Sequence, residues 1–163
     1  MGMSVIIAAA RPDEAEQILK LQYLAFQSEA ELYSDWNLEP LTQSLESLQV
    51  ELAEHRALVA RLGDEVVGSV RGWVDEAGVG QIDRLVVHPR MQRHGLGRRL
   101  LTALEAQLTE DGAGAGFELF TGHRSGSLRL YQRLGYRETE VREVSRRLSI
   151  VTLAKPGETS LAA

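Results

Sequence analysis

At 163 residues with 44% hydrophobic residues, the chain is long enough for one domain with a core of its own. It contains no cysteine, which excludes disulfides, thiolate metal sites and a cysteine nucleophile together. A net charge of −5 argues against a general nucleic-acid binder, and no apolar run approaches the length that spans a bilayer.

The opening Met1-Gly2-Met3-Ser4-Val5-Ile6-Ile7 has no basic stretch ahead of its apolar residues, so no secretory leader is expected and the expected compartment is the cytoplasm. Val5–Ala10 reads as a short strand. Arg11-Pro12-Asp13 turns the chain, and Pro12 suits the first turn of a helix expected from Asp13 to about Ala30. The acidic and aromatic segment Glu29–Trp36 loses the helical pattern. Pro40 opens a second helix, expected as one piece through Leu41, Leu45, Leu48 and Leu52. Ala57–Leu62 and Glu65–Val74, joined by Gly63-Asp64, read as a hairpin. Gly78 and Gly80 bound the next turn. The strand Gln81–His88 follows, rich in branched residues and stopped by Pro89.

Leu96, Leu100, Leu101, Leu104 and Leu108 then fall on one face of a helix, with Arg98, Arg99, Glu105 and Gln107 turned away. Asp111–Gly116 is a glycine-rich break and Phe117–Thr121 another strand. Ser125 is the expected N-cap of a short helix carrying Leu128, Tyr131 and Leu134, and Gly135 sits where a left-handed stop is wanted. Arg137–Val144 and Arg147–Leu153 are two more strands. Residues 1–155 make a single domain in this reading and 156–163 a loose tail. The order β-α-α-β-β-β-α-β-α-β-β is a mixed, α+β pattern, unlike the regular alternation of a doubly wound fold.

Between the Gln81–His88 strand and the long helix lies Gln92-Arg93-His94-Gly95-Leu96-Gly97-Arg98-Arg99. Gly95 and Gly97 remove side chains where the helix begins, leaving free N–H groups at the positive end of its dipole. Arg90, Arg93, His94, Arg98 and Arg99 add positive charge, and such a place suits phosphate. A dinucleotide fingerprint would need a third glycine where Leu100 stands, and the Gly-Lys-Ser/Thr of a phosphate loop is absent. Taken alone, the two glycines also fit a plain strand-to-helix turn.

The run Leu85-Val86-Val87-His88-Pro89, followed by Gln92 through Leu101, resembles the acetyl-CoA motif of the GNAT superfamily of N-acetyltransferases. A second block, Ser127-Leu128-Arg129-Leu130-Tyr131-Gln132-Arg133-Leu134-Gly135-Tyr136, is similar to that superfamily's later motif. Arg124 and Ser127 depart from it, standing where asparagine and alanine are common. The resemblance implies a central, mostly antiparallel sheet of about seven strands with a splayed parallel pair and about four helices. It implies acetyl-CoA or coenzyme A as cosubstrate. The pantetheine arm would lie along the backbone of Leu85, Val86 and Val87. The pyrophosphate would sit on Gln92, Arg93, His94, Gly95, Leu96, Gly97 and Arg98, with Ser127 nearby. The implied activity is acetyl-CoA-dependent transfer to a primary amine, with a small-molecule amine as acceptor. The alternatives are a protein or peptide N-acetyltransferase and a CoA-binding protein without catalysis.

With no cysteine to carry an acyl group, direct attack by the amine is the expected route. The Val87 N–H would polarise the thioester carbonyl, and the resemblance makes Tyr131 the general acid. Several candidates compete for the base. Asp83 lies on the side of Leu85 and Val87 unless a bulge breaks the alternation. His123 titrates in the right range, Glu29 is a third candidate, and a chain of waters can replace any of them. Gln81 stands where histone-type relatives carry a glutamate. The acceptor pocket is expected where the first two helices meet the sheet, near Glu29, Tyr33, Arg71 and Trp73. Acid with aromatic suits a cationic amine, whereas Arg71 and Arg84 suit an anionic end such as an amino-acid carboxylate. Neither nucleic acid, membrane nor metal is an expected partner. A homodimer through the last two strands is compatible with the resemblance.

Overall fold

A computed structural model describes residues 4–157; residues 1–3 and 158–163, most of the expected tail, lie outside the described residues. These fold into one seven-stranded sheet of order β1-β2-β3-β4-β5-β7-β6. Its strands are β1 Val5–Ala9, β2 Arg56–Leu62, β3 Glu65–Val74, β4 Val79–Val87, β5 Gly116–Gly122, β6 Arg137–Glu143 and β7 Ser149–Pro156. Every neighbouring pair is antiparallel except β4 and β5. A parallel pair needs a long crossover, and α4, Leu96–Glu110, supplies it.

The leucine stripe predicted for α4 covers one face of the sheet. Leu100, Leu101, Leu104 and Leu108 are fully buried, in one cluster with Val67, Val70, Ile82, Leu119 and Leu153. Each such side chain contributes roughly 1.5–3 kcal/mol of burial. Gly72 of β3 permits the close approach: a Cβ there would lie 3.1 Å from both Leu104 and Leu108 and 2.7 Å from the Gln81 carbonyl. The other face is covered by α1, Ala15–Tyr33, and α3, Leu45–Glu54, with Ile18, Leu21 and Leu48 on Val59, Val66 and Val86. At the end of this layer Arg61 holds Glu14 through Nε at 2.6 Å and Nη2 at 2.8 Å.

The second helix is divided. A one-turn helix α2, Glu39–Thr42, precedes α3, and Gln43 between them is extended (φ −62°, ψ 132°). The break has a polar cause. The Gln43 side chain is buried, and its carbonyl accepts from Gln22 at 2.9 Å and Arg71 at 3.3 Å. Ser44 then caps α3 by accepting from the Ser47 N–H. Helix α1 runs past Ala30 to Tyr33 and stops at Ser34 in the left-handed region (φ 50°). Strand β4 starts at Val79 rather than Gln81, passing through Gly80, where a Cβ would meet Phe117 at 2.8 Å. Ser125 is not the cap of the last helix, α5, Leu128–Arg133. Ser127 holds that position, and the Ser125 hydroxyl accepts the Ser127 N–H at 3.2 Å. Strand β7 runs from Ser149 through Pro156 instead of Arg147–Leu153, and Gly157 is buried beyond it.

Two features open a cleft in the sheet. Strands β4 and β5 pair only from Val79–Gly116 to Ile82–Leu119. Beyond that point β5 stays with β7 and β4 stays with β3, so the two parallel strands part. The register between β3 and β4 also slips: Ser69 faces Val86 and Arg71 faces Asp83, so Arg84 and Leu85 together oppose Val70. This is a β-bulge, and Arg84 takes a left-handed φ of 56° within it.

Candidate active site

The free edge of β4 is the first wall. The His88 N–H donates to the Val67 carbonyl at 2.8 Å. In an antiparallel pair successive residues alternate between facing the partner strand and facing away. Val86, opposite Ser69, is therefore turned to β3, and Val87 presents its N–H and C=O to the open side. The expectation that Val86 offers backbone bonds to a ligand is thus corrected, although its surface still lines the cleft. The bulge breaks the simple alternation that was to carry Asp83, Leu85 and Val87 on one side.

The start of α4 is the second wall. Gly95 (φ 74°) and Arg93 (φ 68°) both take left-handed backbone. The Arg99 N–H donates to the Gly95 carbonyl at 3.1 Å, so the N–H groups of Leu96, Gly97 and Arg98 precede the helix's own ladder. A cavity of about 530 Å³ lies here, lined by Leu85, Val86, Val87, Gln92, Arg93, Gly95, Leu96, Gly97, Arg98 and, from the α5 side, Ser127, Leu130 and Arg133. His94 is exposed and takes no part in that lining. Arg90 is paired with Glu65, and Arg99 donates to the Val5 carbonyl at 3.0 Å. The cations that remain at the cavity are Arg93, Arg98 and Arg133. Arg133 went unpredicted, because only the docking of α5 on Gly97 brings it there; a Cβ on Gly97 would lie 3.0 Å from Leu130.

A second cavity, of about 440 Å³, shares the walls Phe26, Glu29, Leu85, Ser125 and Ser127 with the first. The two cavities adjoin at this shared wall, and Glu29 is part of it. Burial raises the Glu29 carboxyl above the ordinary carboxylate range, opposed by a hydrogen bond from Ser125. Tyr131 lines the second cavity and is buried. Burial also pushes its phenol well up, with the charges of Glu29 and Asp83 adding to the rise and a hydrogen bond to Ser127 opposing it. Tyr131 therefore stays protonated through the physiological range. Glu29 thus lines both cavities, and Tyr131 lines the second alone.

The other predicted residues separate. Asp83 lines the second cavity, but its Oδ1 accepts from the Arg84 N–H at 2.8 Å and from Arg84 Nη1 at 3.3 Å, bracing the bulge. His123 is exposed and outside the lining; its Nδ1 accepts the Ser149 N–H at 3.0 Å, and its ring packs 5.6 Å from that of Tyr33. Tyr33 lines the cavity while its hydroxyl accepts the Arg124 N–H at 3.0 Å, and burial raises its pKa. Trp73 is a half-exposed rim residue stacked on His55 at 4.5 Å.

Arg71 is not in the acceptor cavity. It is 1% exposed beneath the helices, bonded to Gln22 and Gln43 and paired with Glu51 at 2.8 Å. Burial pulls its pKa down, with Glu51 opposing. The acceptor role expected for Arg71 is therefore corrected: Gln43, between α2 and α3, helps to hold it beneath the helices. Among the described residues there is no cluster of metal-binding side chains, and no helix is long and apolar enough to cross a membrane.

The acetyltransferase (GNAT) family model matches residues 15–136. The chain belongs to the GNAT acetyltransferase family. The matched span holds the whole lining of the first cavity and all of the second except Leu148 and Ile150 of the C-terminal segment. No curated protein matches by sequence. Among solved structures, the ribosomal-protein-S18-alanine N-acetyltransferase of Escherichia coli is similar at a TM-score of 0.76 and 18% identity, over 94% of each chain. PaiA N-acetyltransferase of Thermoplasma acidophilum, in complex with coenzyme A, is similar at 0.75 and 16%, over 94% of this chain and 99% of that one. YncA of Salmonella typhimurium, a putative acetyltransferase with its cofactor acetyl-CoA, is similar at 0.75 and 18%, over 94% of each. The GNAT fold of this chain thus extends over the C-terminal strands β6 and β7 that the family model leaves unmatched.

Proposed function

We propose that this GNAT protein is an acetyl-CoA-dependent N-acetyltransferase that passes an acetyl group directly to a primary amine of a small molecule. The observation that carries this reading is the wall that the two cavities share. A seat suited to phosphates and a free strand edge line one cavity, the Tyr131 phenol lines the other, and the Glu29 carboxylate lines both.

The residues present fit coenzyme A. Its phosphates suit the N–H groups of Leu96, Gly97 and Arg98 with Arg93, Arg98 and Arg133 around them. Its amide-bearing arm suits the exposed backbone of Val87. When bound, acetyl-CoA supplies a thioester carbonyl open to attack by an amine, and a thiolate as leaving group.

The chain's own groups do the rest. The Val87 N–H, on the open edge, is the donor placed for a developing oxyanion. Glu29 takes the proton from the ammonium form of the acceptor, and the burial that raises its pKa makes it a stronger base near neutral pH. Tyr131 gives a proton to the departing sulfur and is restored by the second proton, which the nitrogen sheds as the C–S bond breaks and the amide forms. Phe26 and Leu85 give the shared wall apolar surface. The second cavity, about 440 Å³, falls in the range of about 300–1,000 Å³ usual for small ligands.

The test is release of free CoA thiol from acetyl-CoA across a panel of amino acids, polyamines, aminoglycosides and peptides. Release that depends on a small amine is the expected result. Turnover with peptides alone would transfer the assignment to a peptide N-acetyltransferase. Coenzyme A binding with no turnover on any amine would sink the enzymatic reading.

A further inference from the structure

Arg84 lines the second cavity, yet the two proton transfers leave it without a task. Its left-handed backbone is uncommon for a residue other than glycine. Its side chain is only 9% exposed. Nη1 is held by Asp83 at 3.3 Å, while Nε is buried with no hydrogen-bond partner among the described residues. Nη2 lies 3.4 Å from Glu39 of α2, whose own side chain is 82% exposed.

Two other arginines show this nitrogen pair filled. Arg61 meets Glu14 through Nε at 2.6 Å and Nη2 at 2.8 Å. Arg56 meets Asp111 through the same two atoms, both at 2.7 Å. In Arg84 that edge is half made: Glu39 reaches one nitrogen, at longer range, from an exposed position. A buried guanidinium donor without an acceptor is unfavourable, and a planar carboxylate is the shape that satisfies both nitrogens at once. Arg71 also carries buried nitrogens without a hydrogen-bond partner, Nε and Nη1, but it is paired with Glu51 through Nη2 and does not line the cavity, whereas Arg84 does. The remaining cavity wall is mainly apolar, with Leu38, Pro40, Trp73, Phe120, Leu148 and Ile150.

We propose that Arg84 is the carboxylate anchor of the acceptor site and that Glu39 is its displaceable stand-in. The acceptor class is then an amine that carries a carboxylate and an apolar body: a free amino acid with an apolar side chain. The amine end rests on the acetyl-transfer reading, with Glu29 beside it; the anchor does not. Asp83 fixes Nη1 and leaves the Nε–Nη2 edge for the ligand, and withdrawal of Glu39 uncovers it.

The probes are leucine, methionine and phenylalanine, each with its amide and its decarboxylated amine. Binding is followed by the NMR signal of the Arg84 Nε–H, assigned by its loss in R84K, and thiol release from acetyl-CoA is measured in parallel. The free amino acids should move that signal and bind roughly tenfold or more tighter than their amides and amines. R84K keeps the charge but removes the two-nitrogen edge, and should bring that ratio close to one. E39Q should tighten amino-acid binding by removing the competitor.

Equal binding of the three forms, no shift of the Arg84 signal, or an unchanged ratio in R84K would overturn the anchor. A preference for a peptide bearing an acidic first residue would overturn the small-molecule class. Thiol release from amines with no preference for a carboxylate would leave acetyl transfer standing and the anchor refuted. Binding at Arg84 without any thiol release would do the reverse.

Discussion

Glu29→Gln separates a catalytic carboxylate from a structural one. Glutamine keeps the shape and can still accept from Ser125, but it cannot take a proton. Losing a positioned general base typically slows turnover by about 10²–10⁴-fold. The lower end is expected, because a chain of waters can carry the proton in place of a side chain; about 10²-fold corresponds to roughly 2.7 kcal/mol of barrier. The pH dependence follows from the direction of the shift. Glu29 acts when ionised, and its pKa lies above the ordinary 4.5, so wild-type kcat/KM should climb with pH through that raised value and then level off. The glutamine variant should lack this limb.

Stability should move the other way. A carboxyl with a raised folded-state pKa costs the fold its ionised form. The cost is absent below about 4.5, where the group is protonated in both states, and is present at neutral pH. Glu29→Gln should therefore raise Tm at neutral pH, with the gain fading in acid. Thiol-release kinetics and calorimetry over the same pH series test both. An unchanged rate with the limb intact would refute Glu29 as the base, and slow turnover with a lowered Tm would mark it as a structural residue instead.

Tyr131→Phe should slow turnover by about 10²-fold or more while isothermal titration shows coenzyme A affinity nearly unchanged; full activity would remove Tyr131 as the acid. Gly97→Glu places a negative side chain at the start of α4, crowding Leu130, and should weaken coenzyme A binding on the order of tenfold or more through like-charge repulsion. Unaltered affinity would refute the phosphate seat. Arg61→Ala leaves Glu14 buried without its partner and should cost about 3–5 kcal/mol in denaturant titration at neutral pH. The Arg61 hydrogen bond holds the Glu14 pKa below 4.5, so the pair's contribution is complete above that value and is lost as pH falls through the lowered one. The gap between wild type and variant should close in acid, and a gap constant with pH would contradict the pairing.

Periodicity made most of the architecture legible. The leucines of α4 announce its apolar face, and burial followed it, except at Glu105, which was expected to turn away and is instead buried, accepting from the Tyr136 hydroxyl at 2.6 Å and from Lys155 Nζ at 3.0 Å. What it missed depends on contacts distant in sequence. Gln43 breaks a helix because Gln22 and Arg71 meet its side chain, and a run of leucines spanning it shows nothing of that. The bulge at Arg84 arises from register between two strands, so counting residues along β4 alone could not place Asp83 against Leu85. Helix α1 ends at Ser34 in left-handed backbone, a position where glycine would have announced the stop.

In the cleft, the glycine and arginine spacing around Gly95 was readable because it lies in one continuous stretch. Arg133 and the sealed position of Arg71 were not, since each is decided by how another helix docks. Glu29 was one candidate among several. Its place where two cavities meet is a tertiary fact, and it is what raises Glu29 above His123, whose ring is tied to Ser149 outside the lining.

A single-turnover experiment with acetyl-labelled acetyl-CoA, quenched in time and carried out with the best acceptor of the panel, tests direct transfer most closely. The label should pass from coenzyme A to the amine nitrogen with one thiol released for each amine acetylated, and it should never accumulate on the protein. Label held covalently on the chain, or thiol released without acetylated amine, would contradict direct transfer at Glu29 and Tyr131.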